Sequence, residues 1–112
     1  MTESPVTRVT LVDQALAEPA TVSHVEIRRI TIAPWAAAGA HVHNGPVFGS
    51  IEHGSVVFQV EGEPEVTLRP GDVFYEPAGV VVSKFDATDE GVTFLGYFLL
   101  DAGQAPEIEF SE

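Results

Sequence analysis

Gly, Pro or Asp interrupts this chain every eight to twelve residues, a rhythm that restricts it to short strands joined by turns. The segments between the breakers are rich in Val, Ile, Thr and Phe, residues that suit a pleated, half-buried surface. Strands are expected over 6–12 and 22–32, where Pro34 stops the ladder because proline has no amide to donate. Further strands are expected over 39–44, over 48–53 closed by Gly54, and over 56–60, where apolar and polar residues alternate. Residues 61–64 read as a hairpin tip and 65–68 as its return. Strands at 73–76, 80–85 and 92–100 follow, with a polar loop at 87–91 and an acidic, loosely held tail at 101–112. Residues 13–17 are too short for more than one helical turn.

A chain of 112 residues fits one domain with a real core. No apolar run approaches the ~18 residues of a membrane span. The first residues lack the basic start and apolar stretch of a secretory signal, so a cytoplasmic protein is expected. Seventeen acids against five bases give a net charge of −12. Without a basic stripe, nucleic acid and anionic membranes are poor partners. The absence of cysteine excludes disulfides and thiolate ligands, leaving nitrogen and oxygen to hold any metal.

His41 and His43 stand two apart, just before the Asn44-Gly45-Pro46 turn. On an extended strand both imidazoles project from one face. Two nitrogens can then converge on a metal ion or on a polar group of a substrate. If the strands pair around the Asn44-Gly45-Pro46 turn with His43 near Val47, His53 lies about 20 Å from Val47 along the strand, out of reach, and His24 reads as an ordinary surface residue. Strand parity leaves Glu52 and Glu76 undecided, so no third ligand is assigned.

Two blocks together resemble the cupin family of double-stranded β-helix (jelly-roll) barrels. In the first cupin motif a glycine precedes His-x-His, followed by a glutamate and a closing glycine; here His41, His43 and Gly54 match. Trp35 occupies the opening-glycine position and Val47 the glutamate position. In the second motif Gly71, Pro77 and Gly79 match in register, while Val82 and Asp86 replace the histidine and asparagine. The resemblance spans about residues 20–100 and implies an all-β, single-domain cupin barrel over 1–112. It also implies a homodimer that packs or exchanges N-terminal strands, and it turns His41 and His43 toward the barrel interior.

The family's ligand set is two histidines, a glutamate and a third histidine. With Val47 and Val82 in place of the last two, the expectation is a largely apolar small-molecule pocket without a tightly held metal. His41 or His43 then serves as general acid or base for isomerase, cyclase or lyase chemistry. Val47, Phe48, Gln59, Tyr75 and Val82 are the expected pocket residues, with further phenylalanines as greasy lining. Lys84, two residues after Val82, shares its face if the strand is unbroken and would have a lowered pKa in an apolar cavity; a bulge would turn it out. Trp35 is expected to cover the barrel mouth or to contact a second copy. One alternative is a metal-dependent dioxygenase or isomerase, with Fe, Mn, Ni or Zn held weakly by His41 and His43 and completed by water and substrate. Another is a non-catalytic sensor or assembly module with a filled barrel.

Overall fold

The computed structural model describes residues 5–106 and the backbone of 108–110. Seven strands run in chain order: β1 (His24–Ile32), β2 (His41–His43), β3 (Val47–Val60), β4 (Val66–Leu68), β5 (Val73–Glu76), β6 (Val82–Leu100) and β7 (Ile108–Phe110). The described residues contain no helix, and every ladder is antiparallel. The molecule is an all-β barrel, as the turn rhythm requires.

β3 and β6 form the spine, paired from Val47↔Phe98 to Val60↔Val82. β5 and β4 line the other edge of β3, opposite its first and last parts. β1 pairs with the second half of β6, from His24↔Leu100 to Ile32↔Val92. Two expected breaks are absent, because β3 continues through Gly54 and β6 runs through 87–91. Register shifts near Gly54 replace the breaks. They change which parity faces inward: Val47, Gly49 and Ile51 are buried before the shift, and Val56, Phe58 and Val60 after it. A bulge therefore kept long strands on one core where the sequence suggested turns.

The expected strand at 6–12 does not form; those residues carry no ladder, and Val9 and Leu11 are exposed. β-branched composition alone gives no strand without an edge to pair with. The tail expected to be loose contributes β7, which pairs with the histidine strand β2 from His41↔Phe110 to His43↔Ile108.

Phe58, Phe74, Phe85 and Phe94 form the aromatic centre of the core, with ring centroids 4.8–5.9 Å apart in tilted and edge-on arrangements. Phe74 crosses directly over Gly49, its cross-strand partner, where any β-carbon would collide with the ring.

Candidate functional site

His41 and His43 lie on one face of β2, as their spacing demands, and both are buried, 3 % and 7 % exposed. Glu76 ends β5 and is also 3 % exposed. The turn after it, Pro77-Ala78-Gly79, holds Gly79 at φ 73°, a conformation that suits glycine. There the Gly79 amide donates to the His43 carbonyl at 3.0 Å. One turn thus ties the strand that carries the carboxylate to the strand that carries the imidazoles.

The three side chains meet. His43 Nε2 lies 2.6 Å from Glu76 Oε1, a charge-assisted hydrogen bond, and His41 Nε2 lies 3.7 Å from the same oxygen. The rings of His41 and His43 sit edge-on with centroids 4.9 Å apart. His41 Nδ1 is 2.8 Å from the Gly39 carbonyl, which can only accept, so Nδ1 carries the proton and the lone pair of the neutral ring is on Nε2, the nitrogen nearer Glu76. Burial pushes the Glu76 carboxyl up, but the adjacent His41 and His43 outweigh it and hold the group below the usual carboxylate range. Burial likewise lowers the His41 pKa, yet Glu76 and the Gly39 carbonyl leave it raised. A buried anion is tolerated here because two imidazoles compensate it.

One donor atom from each of His41, His43 and Glu76 lies within 4.8 Å of the others. Ligand bonds of about 2.0–2.2 Å place neighbouring donors about 3–3.5 Å apart, so an ion would need His43 Nε2 and Glu76 Oε1, 2.6 Å apart, to separate slightly and the wider pairs to close in. Two imidazoles and a carboxylate form the donor set of a facial triad with open positions. The backbone bond to His41 Nδ1 is the outer contact that fixes a ligand's tautomer. His43 Nδ1 is buried without a hydrogen-bond partner among the described residues, an uncommitted donor at the same place. These residues fit a divalent first-row ion.

Around the triad lies a cavity of about 240 Å³ with mostly apolar walls, including Val47, Phe74, Phe94 and Phe98. Of the expected pocket residues, Val47 lines it. Val82 is fully buried opposite His41 in the ladder, in the core rather than on the cavity wall. Phe48 and Tyr75 stack on each other on the opposite face of their strands, and Gln59 binds the Glu63 carbonyl outside. Lys84 is not brought to the site. The ladder passes from Gln59↔Lys84 to Val60↔Val82, so one extra residue on β6 turns Lys84 outward. There it pairs with Glu65 at 2.7 Å, which raises its pKa instead of lowering it. Trp35, 77 % exposed, does not line the cavity. Its φ of 64° lies in the left-handed region that favours glycine, the residue that the motif carries at this position. Glu76, which strand parity left undecided, is brought to the histidines, and Arg28, which the sequence did not single out, lines the cavity.

A family model described as a cupin domain matches residues 28–95. A search of curated proteins finds no match. Among solved structures, the DMSP lyase DddQ from Ruegeria pomeroyi superposes with a TM-score of 0.67 at 23% identity, covering 74% of this chain and 42% of that one. Oxalate oxidase in complex with glycolate gives 0.66 at 21% identity, covering 77% and 45%. A cupin-like protein from Thermotoga maritima gives 0.64 at 24% identity, covering 78% and 65%. The chain thus spans less than half the length of the two enzymes, and these likenesses carry the fold. With more than half of its residues inside the matched model, the chain belongs to the cupin family.

Proposed function

We propose that this protein holds one divalent transition-metal ion through His41, His43 and Glu76 and takes a small organic molecule into the cavity beside it, acting in the cytoplasm as a homodimer. The carrying observation is the convergence of two imidazoles and one buried carboxylate on a single point. A bound ion of this kind supplies Lewis acidity, and in the redox-active cases electron transfer. His41, held by the Gly39 carbonyl, keeps its Nε2 lone pair toward the centre. Glu76 supplies the negative charge that two histidines alone lack. The apolar wall excludes water from the ligand, and the cavity argues against a barrel filled shut. Similar structures that are lyases and oxidases support a catalytic role for the cavity. Exposed Val25 and Ile27 on β1 support self-association.

The test is calorimetric titration of EDTA-treated, tag-free protein with Mn(II), Ni(II) and Zn(II). One ion per chain is expected, with affinity reduced at least about 100-fold in His41→Ala, since losing one of three ligands leaves a chelate too weak to hold the ion. Failure of all three metals to bind would refute the proposal. The 2.6 Å His43–Glu76 bond favours a second reading, a metal-free acid–base pair in which Glu76 orients His43. Turnover that persists in EDTA would select it.

A further inference from the structure

Among the described residues, Arg28 is the one arginine or lysine that lines the cavity, in a chain whose net charge is −12. Arg28 lies on β1 between Glu26 and Ile30 on the inward face, followed by Ile32. Ile30 and Ile32 pack against the core, whereas the Arg28 side chain is 48 % exposed, so the face grades from an apolar floor to a charged opening. Two contacts orient the guanidinium. Its Nε donates to Glu26 Oε1 at 2.7 Å, and its carbon stands 5.5 Å from the centroid of the Phe98 ring, which also lines the cavity. The cross-strand partner of Arg28 is Gly96, whose missing side chain leaves room for that ring; a β-carbon there would meet Phe98 at 3.1 Å. The terminal nitrogens make no hydrogen bond to a described residue. An oriented guanidinium with terminal N–H groups to spare, above an apolar chamber, has the geometry of a carboxylate clamp.

We propose that the cavity selects a small organic monocarboxylic acid, its carboxylate on Arg28 at the opening and its apolar body against the phenylalanine wall. The remaining end of such a molecule then lies toward His41, His43 and Glu76. Scaling from benzene in an apolar cavity of about 150 Å³, the chamber takes roughly ten non-hydrogen atoms. The inference names the substrate class for the proposed function and rests on that reading for its chemistry, though the clamp itself needs no metal.

The experiment is calorimetric titration with benzoate, phenylacetate and hexanoate, each beside its neutral primary amide. It is run on EDTA-treated protein and again with one equivalent of Zn(II), for wild type, Arg28→Met and Arg28→Lys. At least one acid is expected to bind wild type about tenfold more tightly than its amide in both states. Arg28→Met is expected to abolish that preference while leaving amide binding within about twofold, and Arg28→Lys to retain part of it. Acids that bind no better than amides would overturn the proposal. So would a preference that survives in Arg28→Met, because the carboxylate would then sit on another group. Absence of Zn(II) binding with the Arg28-dependent preference intact would remove the metal reading and leave the clamp standing.

Discussion

Glu76 lies directly across the β3–β5 ladder from Val47. Position 47 is where the cupin motif carries its glutamate, so the buried carboxylate of Glu76 stands on the neighbouring strand opposite that position. Opposed residues have β-carbons about 4.5–5.5 Å apart, a gap that a glutamate side chain spans. On the proposed reading, Glu76 replaces one of the two ligands absent at positions 47 and 82.

Moving the carboxylate back should therefore be tolerated. Glu76→Val is expected to lower divalent-metal affinity at least about 100-fold, as removal of the anionic ligand from a three-ligand site implies. Val47→Glu combined with Glu76→Val is expected to recover at least about tenfold of that loss. Calorimetry on both variants checks it; a double variant no better than the single one would show that the two positions do not serve one centre.

The pH dependence of the metal-free protein follows from the two shifted groups. Glu76 is held below its ordinary 4.5, so its contribution is present above that value and is lost as pH falls through the lowered pKa. His41 is raised above 6.5, so its contribution is complete below 6.5 and is lost as pH rises through the raised pKa. Maximum stability is expected between 4.5 and 6.5. Above 6.5 the metal-free protein should melt earlier, while the stabilisation given by a divalent ion should grow, because the ion no longer competes with a proton on His41. Melting temperatures from pH 4 to 9, with and without Zn(II), read both trends.

Phe74 packs across Gly49, and no β-carbon fits between them. Gly49→Ala is expected to cost about 1–3 kcal/mol by overpacking, and to weaken small-molecule binding because Phe74 also lines the cavity. Gly49→Ala with Phe74→Leu should regain part of the stability. Urea denaturation of the wild type and the two variants measures this; a neutral Gly49→Ala would mean that the ring moves aside freely.

Among the described residues, the backbone of β2 has one ladder pair to β6 and three to β7, and it accepts the Gly79 amide. Deleting residues 107–112 should reduce metal affinity at least about tenfold by loosening the histidine strand. It should also speed amide exchange of residues 41–43. Unchanged exchange would show that β7 does not hold the site.

Local signals made the architecture legible. Period-two alternation, the turn residues Gly71, Pro77 and Gly79, and the His41/His43 spacing each dictate backbone or side-chain direction over a few residues, and the fold obeys them. What stayed hidden depends on register. Lys84 faces out because of one extra residue in β6, which no sequence parity announces. Glu76 reaches the histidines only because β5 aligns with β3 at Val47, a long-range pairing. Its place just before Pro77 in a matched motif was the available clue. Residues 6–12 have strand composition yet form no strand, whereas the three residues 108–110, in a tail read as loose, pair with β2.

The most direct measurement is an anomalous difference map from crystals of EDTA-treated, tag-free protein soaked in Mn(II). One peak is predicted about 2.0–2.3 Å from a nitrogen of His41, a nitrogen of His43 and an oxygen of Glu76. No peak among these three side chains, with Mn(II) bound only at surface carboxylates, would contradict the account.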